Sequence, residues 1–224
     1  MSYTIYFAGG LFNHKDLIGN LLVGEKISAV SNGKYICNLP QNIEVSAERA
    51  EQIRNNDIKS LLCSDLGIFN FDGTELDSGT VVEYMIAKMI DMPCVLLRTD
   101  FRSGGDQGHS KDQWNLMCSF YPRSKTVNIN SMAWYQEYFS PSSYSSLNID
   151  QAYSEIATQI ITALDEVRSM PSLLENYSPS LMEIYKWAIT FPGSGFDTLF
   201  SDEELRDLVT AKSAKGIYTA VEAG

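Results

Sequence analysis

Residues 66–97 read LGIFNFDGTELDSGTVVEYMIAKMIDMPCVLL. The two ends are apolar runs, 66–71 (LGIFNF) and 93–97 (PCVLL), with the length and composition of strands. The second is wholly apolar, as expected of a parallel strand buried on both faces. Between them, residues 80–91 carry apolar side chains at helical spacing. Strand, helix, strand in this order is a βαβ unit, and its crossover makes the two strands parallel.

The alternation continues in both directions. Residues 3–7 (YTIYF) form a short aromatic, β-branched strand that runs into a tight turn at Ala8, Gly9 and Gly10. Residues 17–22 suggest a helix, weakened by Gly19 and Gly24. Residues 34–39 (KYICNL) read as a second strand, stopped by Pro40. Residues 45–63 are the clearest early helix, with Ser46 as its N-cap. Downstream, 125–129 (KTVNI) is a weaker fifth strand and 150–167 is a helix with one apolar side. The polar stretch 98–114 contains Gly104, Gly105 and Gly108 and has the length of an active-site lid or mobile loop, and 140–146 is a loop. Past Ser169 the chain changes character. Pro171, Pro179 and Pro192 punctuate two short helical patterns, 181–189 and 202–211. The expected organisation is an α/β domain over 1–169, a parallel sheet with helices on both faces. A helical C-terminal extension over 170–224 packs on that domain or on a neighbouring subunit.

Composition excludes several roles. The 224 residues carry a formal net charge of -11, which disfavours binding to nucleic-acid phosphates and to anionic membranes. Cys37, Cys63, Cys94 and Cys118 form no CxxC pair and read as reduced thiols of a cytoplasmic protein. The two histidines, His14 and His109, have no ligand-spaced partners, so no metal site is expected. No apolar run approaches the roughly 18 residues of a membrane-spanning helix, and residues 1–10 lack the features of a signal peptide. The AGG run lacks the GxGxxG spacing, and neither a phosphate-binding GKS/GKT loop nor a GxSxG context occurs. No cofactor is expected.

Acidic side chains carry the chemistry. Asp72, Glu75 and Asp77 crowd the turn after the 66–71 strand, and Glu83 follows on the next helix. A carboxylate on the first turn of a helix, past the end of a buried strand, sits where open α/β sheets bind ligands. Glu83 reads as a nucleophile toward a sugar carbon, because carboxylates stabilise and then capture an oxocarbenium-like centre. A helix N-terminus favours its anion by roughly 0.3–1 kcal/mol. The bland alternative is a capping box over Thr80–Val81–Val82–Glu83. Asp77 reads as a turn residue or N-cap, or as an acceptor for a sugar hydroxyl. Asp57, on the preceding helix, is a solvated charge unless the fold brings it to Glu83. Two carboxylates sharing a cleft can divide the roles of anion and acid. Tyr6 either packs in the core or holds the Glu83 carboxylate, and Gly9 and Gly10 allow a ligand close to the backbone.

Four segments in order, YFAGGLF at 6–12, NND at 55–57, DSGTVVE at 77–83 and NLM at 115–117, resemble the nucleoside 2-deoxyribosyltransferase family. The resemblance covers roughly residues 2–168. It implies a five-stranded flavodoxin-like sheet and a double displacement. Glu83 attacks C1' of a deoxynucleoside, the base leaves, and a second nucleobase attacks from the same face. By matching position Tyr6 orients Glu83, Asp57 protonates the departing base and deprotonates the incoming one, and Asp77 binds a sugar hydroxyl. Asn115 reaches into the site of an adjacent subunit, which implies a homo-oligomer with shared active sites. Gln41 is a candidate base contact. The partners implied are deoxynucleosides and free nucleobases. Family members often end in a tyrosine that completes a neighbour's sugar site. Tyr218 is followed by six further residues, and that role is not carried over to it. The rival readings are an N-glycoside hydrolase on the same fold, a non-catalytic nucleotide-sensing module, and an α/β domain with an unrelated small ligand. Against a nucleotide substrate stands Asp77, since a like-charge pair at ~4 Å costs about 4 kcal/mol at an effective dielectric of 20.

Overall fold

The computed structural model describes residues 1–42, 49–102, 104–106, 112–139, 145–174 and 180–218. Five strands form an all-parallel sheet: β1 (Tyr3–Ala8), β2 (Tyr35–Asn38), β3 (Leu66–Asn70), β4 (Cys94–Arg98) and β5 (Ser124–Asn128). Their order is β2-β1-β3-β4-β5, the flavodoxin-like arrangement. Each lies within a residue or so of the segment its composition marks out. β3 and β4 are buried almost throughout, which is why neither shows polar alternation.

The helices are α1 (His14–Val30), α2 (Ala50–Cys63), α3 (Ser78–Met89), α4 (Ser131–Tyr138), α5 (Ser146–Ser169), α6 (Leu181–Thr190) and α7 (Asp202–Ala214). α1 is far longer than its sequence suggests. Asn13 caps it, accepting from the Lys15 and Asp16 amides. Gly24 does not break it, because the missing side chain lets the helix approach β2: a Cβ there would lie 3.4 Å from Cys37 Cβ. The helix expected over 45–63 is described from Ala50, and Ser46 lies outside the described residues. α4 has no counterpart in the sequence reading. Asn130 caps it, and no residue of it is fully buried, so no apolar period marks it.

α1 packs on α5, and α2 packs on α3. The side chains of β1 alternate between these layers. Tyr6 meets α3 on one face, whereas Phe7 faces a cavity bounded by α1, α4 and α5 on the other. Among the described residues no helix is long and apolar enough to cross a membrane.

The residues beyond 170 pack along the edge where the strands begin. Lys215 Nζ lies 2.6 Å from Asp65 Oδ2, which also accepts the Thr4 amide at 2.8 Å. The buried Lys212 donates to the Ser64 carbonyl. Its burial lowers its pKa to about 8. Arg123, just before β5, bonds Asp91, just before β4, at 2.9 Å, and also donates to the Ile217 carbonyl. Asp91 Oδ2 accepts in turn from Ser172 Oγ at 2.8 Å and the Leu173 amide at 2.9 Å. Tyr218 is buried, with its hydroxyl 2.8 Å from Tyr185 and 3.1 Å from the Ile90 carbonyl. The extension is therefore stitched to the sheet at the end opposite Glu83.

Candidate active site

The sheet register sets the first contact. Tyr6 pairs with Asn38 on one side and Gly67 on the other. Gly67 has no room for a side chain, since a Cβ would lie 2.4 Å from the Phe69 ring. From this position the Tyr6 hydroxyl donates to Glu83 Oε1 at 2.7 Å.

The loop that leads to α3 is anchored on both sides. Asp72 accepts from the Thr99 amide and hydroxyl and from the Asp100 amide, at 2.5, 2.6 and 2.8 Å. It ties the end of β3 to the end of β4 and is structural. Gly73 turns the chain with φ 111°, which only glycine adopts readily. The buried Arg98 donates to the Phe71 and Gly73 carbonyls beneath the loop. Asp77 then caps α3. Its Oδ2 accepts the Thr80 amide at 2.7 Å and the Thr80 hydroxyl at 2.8 Å, leaving Oδ1 uncommitted among the described residues.

That cap corrects two expectations. Thr80 is not an N-cap, so the capping box ending at Glu83 does not form. Glu83 stands in the second turn of α3, not the first, and its carboxylate turns toward Tyr6. It borders a groove between α2 and α3 with a volume of about 520 Å3, shared with Ile53, Arg54, Asp57, Val82 and Ile86. The volume falls within the range of about 300–1,000 Å3 of small-molecule sites, and the walls are mostly apolar, as such sites are.

Electrostatics correct a third expectation. The helix N-terminus does not keep Glu83 fully charged. Burial raises its pKa from 4.5 to about 7, the Tyr6 hydrogen bond opposes that rise, and the charges of Asp57 and Asp77 add to it. Glu83 is poised between acid and anion near neutral pH, the range suited to groups that do chemistry there.

Tyr6, Asp57 and Glu83 are thus brought together, with Asp77 close enough for its charge to be felt. Asn115 is elsewhere in the same chain. It is exposed, caps a short 3-10 turn (Leu116–Cys118) by accepting the Met117 amide, and lines a separate cavity with Thr74, Glu75 and Trp114. Gln41 lies in a 3-10 turn (Pro40–Asn42) and donates to the Leu17 carbonyl at 2.8 Å, while its buried Oε1 has no partner among the described residues. Gly9 packs against Asn70, whose Cβ would be 3.0 Å from an added Cβ. Part of the expected lid, residues 103 and 107–111, lies outside the described residues. Within that stretch Trp114 is buried against Phe71 at 5.2 Å. Arg54 was missed in the sequence. It shares a helix face with Asp57 three residues on, a spacing that could have flagged it.

The family model described as nucleoside 2-deoxyribosyltransferase matches residues 5–117. That is half of the chain, and it spans Tyr6, Asp57, Asp77, Glu83 and Asn115. This protein belongs to the nucleoside 2-deoxyribosyltransferase family. Membership supports deoxyribosyl transfer or a related N-glycosidase activity. Among solved structures, a conserved protein from Enterococcus faecalis V583 is 26% identical, with a TM-score of 0.48, covering 61% of this chain and 97% of that one. A 2-deoxyribosyltransferase from Bacillus psychrosaccharolyticus is 18% identical, with a TM-score of 0.43, covering 65% of this chain and 95% of that one. One from Leishmania mexicana is 22% identical, also at 0.43, covering 62% and 99%. No curated protein matches the chain.

Proposed function

We propose that this member of the nucleoside 2-deoxyribosyltransferase family moves 2-deoxyribose between nucleobases through a covalent deoxyribosyl-Glu83 ester. The observation that carries the reading is the 2.7 Å hydrogen bond from Tyr6 to Glu83 at the edge of a groove that also holds Asp57. The Tyr6 phenol leaves the second carboxylate oxygen of Glu83 for attack on C1'. The bond from C1' to the base nitrogen breaks, the base keeps the electron pair, and Asp57 gives it a proton. An incoming base loses its proton to Asp57 and attacks C1', which releases Glu83 as carboxylate with net retention. The uncommitted Asp77 Oδ1 is an acceptor for a sugar hydroxyl, whereas Gln41 does not line the groove and its Oε1 is buried.

Asn115 completes the site from a neighbouring copy in this reading. Leu116, Met117 and Phe120 support it: they leave 45%, 67% and 83% of their surface exposed beside Asn115, an apolar group of the kind that marks protein contacts.

The decisive experiment is mass spectrometry of the protein after brief exposure to a deoxynucleoside. The expected result is a deoxyribosyl adduct on the peptide containing Glu83, together with a new nucleoside when a second base is supplied. Adduct on another residue overturns the assignment, and free sugar without exchange replaces transfer by hydrolysis.

Tyr6→Phe tests the orienting bond. Hydrogen bonds to charged groups contribute about 1.5–3 kcal/mol, so exchange should fall about 10- to 100-fold. The Tyr6 bond also lowers the Glu83 pKa. Its loss moves the acidic limb of the kcat/KM profile to higher pH, and an unmoved limb would show that the phenol does not act on the nucleophile.

A further inference from the structure

A second chamber lies on the other face of the sheet, independent of the Glu83 chemistry. It has a volume of about 190 Å3 and opens near the ends of β1, β3 and β4, under α1, α4 and α5. Phe7, Trp134, Tyr153 and Ile156 supply its apolar walls. Trp134 is held in place, since its indole N–H donates to the Ala152 carbonyl at 3.0 Å and its ring meets Tyr153 edge-on at 5.6 Å. A cavity of about 150 Å3 already takes up one benzene ring, so this one has room for a single ring with small substituents.

The polar side of the chamber is lined by Lys15, Asp16, Asp72 and two carboxamides, and the carboxamides give it direction. Asn20, only 5% exposed, spends its Nδ2 on the Gly10 carbonyl at 3.0 Å. Its Oδ1 is uncommitted among the described residues. Asn70 does the reverse: its Oδ1 accepts the Asp72 amide at 3.1 Å, and its Nδ2 is uncommitted. Both side chains border Gly9. One open acceptor and one open donor, side by side in an aromatic-walled chamber, match a ring that carries a donor N–H next to a C=O. Leaving buried polar groups unmatched costs about 1–3 kcal/mol, which favours a solute that satisfies both over a plain hydrocarbon ring.

We infer that this chamber is a second ligand site, separate from the groove beside Glu83, for a single-ring amide heterocycle of the pyrimidine-base type. The ring N–H donates to Asn20 Oδ1, the adjacent carbonyl accepts from Asn70 Nδ2, and the ring packs against Trp134 and Tyr153.

Uracil is the probe, and Trp134 is the reporter. Titrating the full chain with uracil should change tryptophan fluorescence with a midpoint at about 1 mM or below. Trp134→Phe should lose that change, while Glu83→Gln keeps it. 1,3-Dimethyluracil, which has no ring N–H to donate to Asn20, should bind about tenfold more weakly to the unaltered protein. The inference is overturned if no change occurs up to about 10 mM uracil. It is equally overturned if the signal survives Trp134→Phe, if Glu83→Gln removes it, or if benzene or 1,3-dimethyluracil binds as well as uracil. The Trp134→Phe arm separates this site from the proposed catalytic one, because Trp134 lines the chamber and not the groove beside Glu83, and nucleoside exchange should survive that substitution.

Discussion

Glu83→Gln loses nucleoside exchange by about 10⁴-fold or more, the scale seen when a covalent nucleophile is removed, while deoxynucleoside binding stays close to that of the parent. The amide still accepts from Tyr6 and fills the same space but cannot form the sugar ester. The same variant should be more stable than the parent at neutral and higher pH. In the folded protein Glu83 binds its proton up to about pH 7, against an ordinary value of 4.5. Between those values the folded state holds more protons than the unfolded one, so the parent loses stability as pH rises through this window. At about 1.4 kcal/mol per pH unit the loss amounts to at most about 3 kcal/mol. Glutamine carries no such penalty. Chemical denaturation at pH 5 and pH 8 checks the sign: parent and variant should converge at the lower pH and separate at the higher. Equal stability at both would mean that the carboxylate is not held against its charge, and retained exchange would remove Glu83 from the reaction.

Arg123→Met should be the most destabilising single change at the opposite end of the sheet. Arg123 and Asp91 expose only 2% and 3% of their side chains. Asp91 gathers Arg123, Ser172 and the Leu173 amide, and Arg123 reaches on to the Ile217 carbonyl. Removing the guanidinium leaves a buried carboxylate without its counter-charge, which costs about 3–5 kcal/mol. For a chain of this size that lowers Tm by about 10 °C. The paired change Asp91→Asn with Arg123→Met removes the orphaned charge and should recover part of the loss. A Tm within experimental error of the parent would show that the ion pair does not hold the extension in place.

The sheet was legible because its signals are local. Four of the strands announce themselves by short, largely apolar runs bounded by glycine, proline or polar turns, the fifth is weaker, and their right-handed connections leave little choice of topology. α1 was under-read because Gly19 and Gly24 count against a helix wherever its packing is unknown. α4 (Ser131–Tyr138) was missed because its aromatic residues lie partly exposed against α5 and show no period. At the site the residue types were readable but their meeting was not. Tyr6, Asp57 and Glu83 come from a strand and two helices, and only the parallel register and the α2–α3 packing bring the two acids to one groove with Tyr6 bonded to Glu83. The capping box misled because Asp77 competes for the same amide as Thr80–Glu83 would, and the shorter side chain closer to the turn wins. The Asp91–Arg123 clasp was invisible, since two charged residues 32 positions apart look like ordinary surface charges in a sequence.

The groove between α2 and α3 places Asp57 and Glu83 on different helices, and aliphatic side chains, Ile53, Val82 and Ile86 among them, share its walls. In the proposed transfer, the gap that a departing base must cross is accordingly set by hydrocarbon volume. Trimming or adding a methylene on those walls re-spaces Asp57 from Glu83 with both acids intact. Since a misplacement of about 1 Å can cost about 100-fold in rate, the proposed reaction makes the choice of leaving group rest on residues that carry no charge.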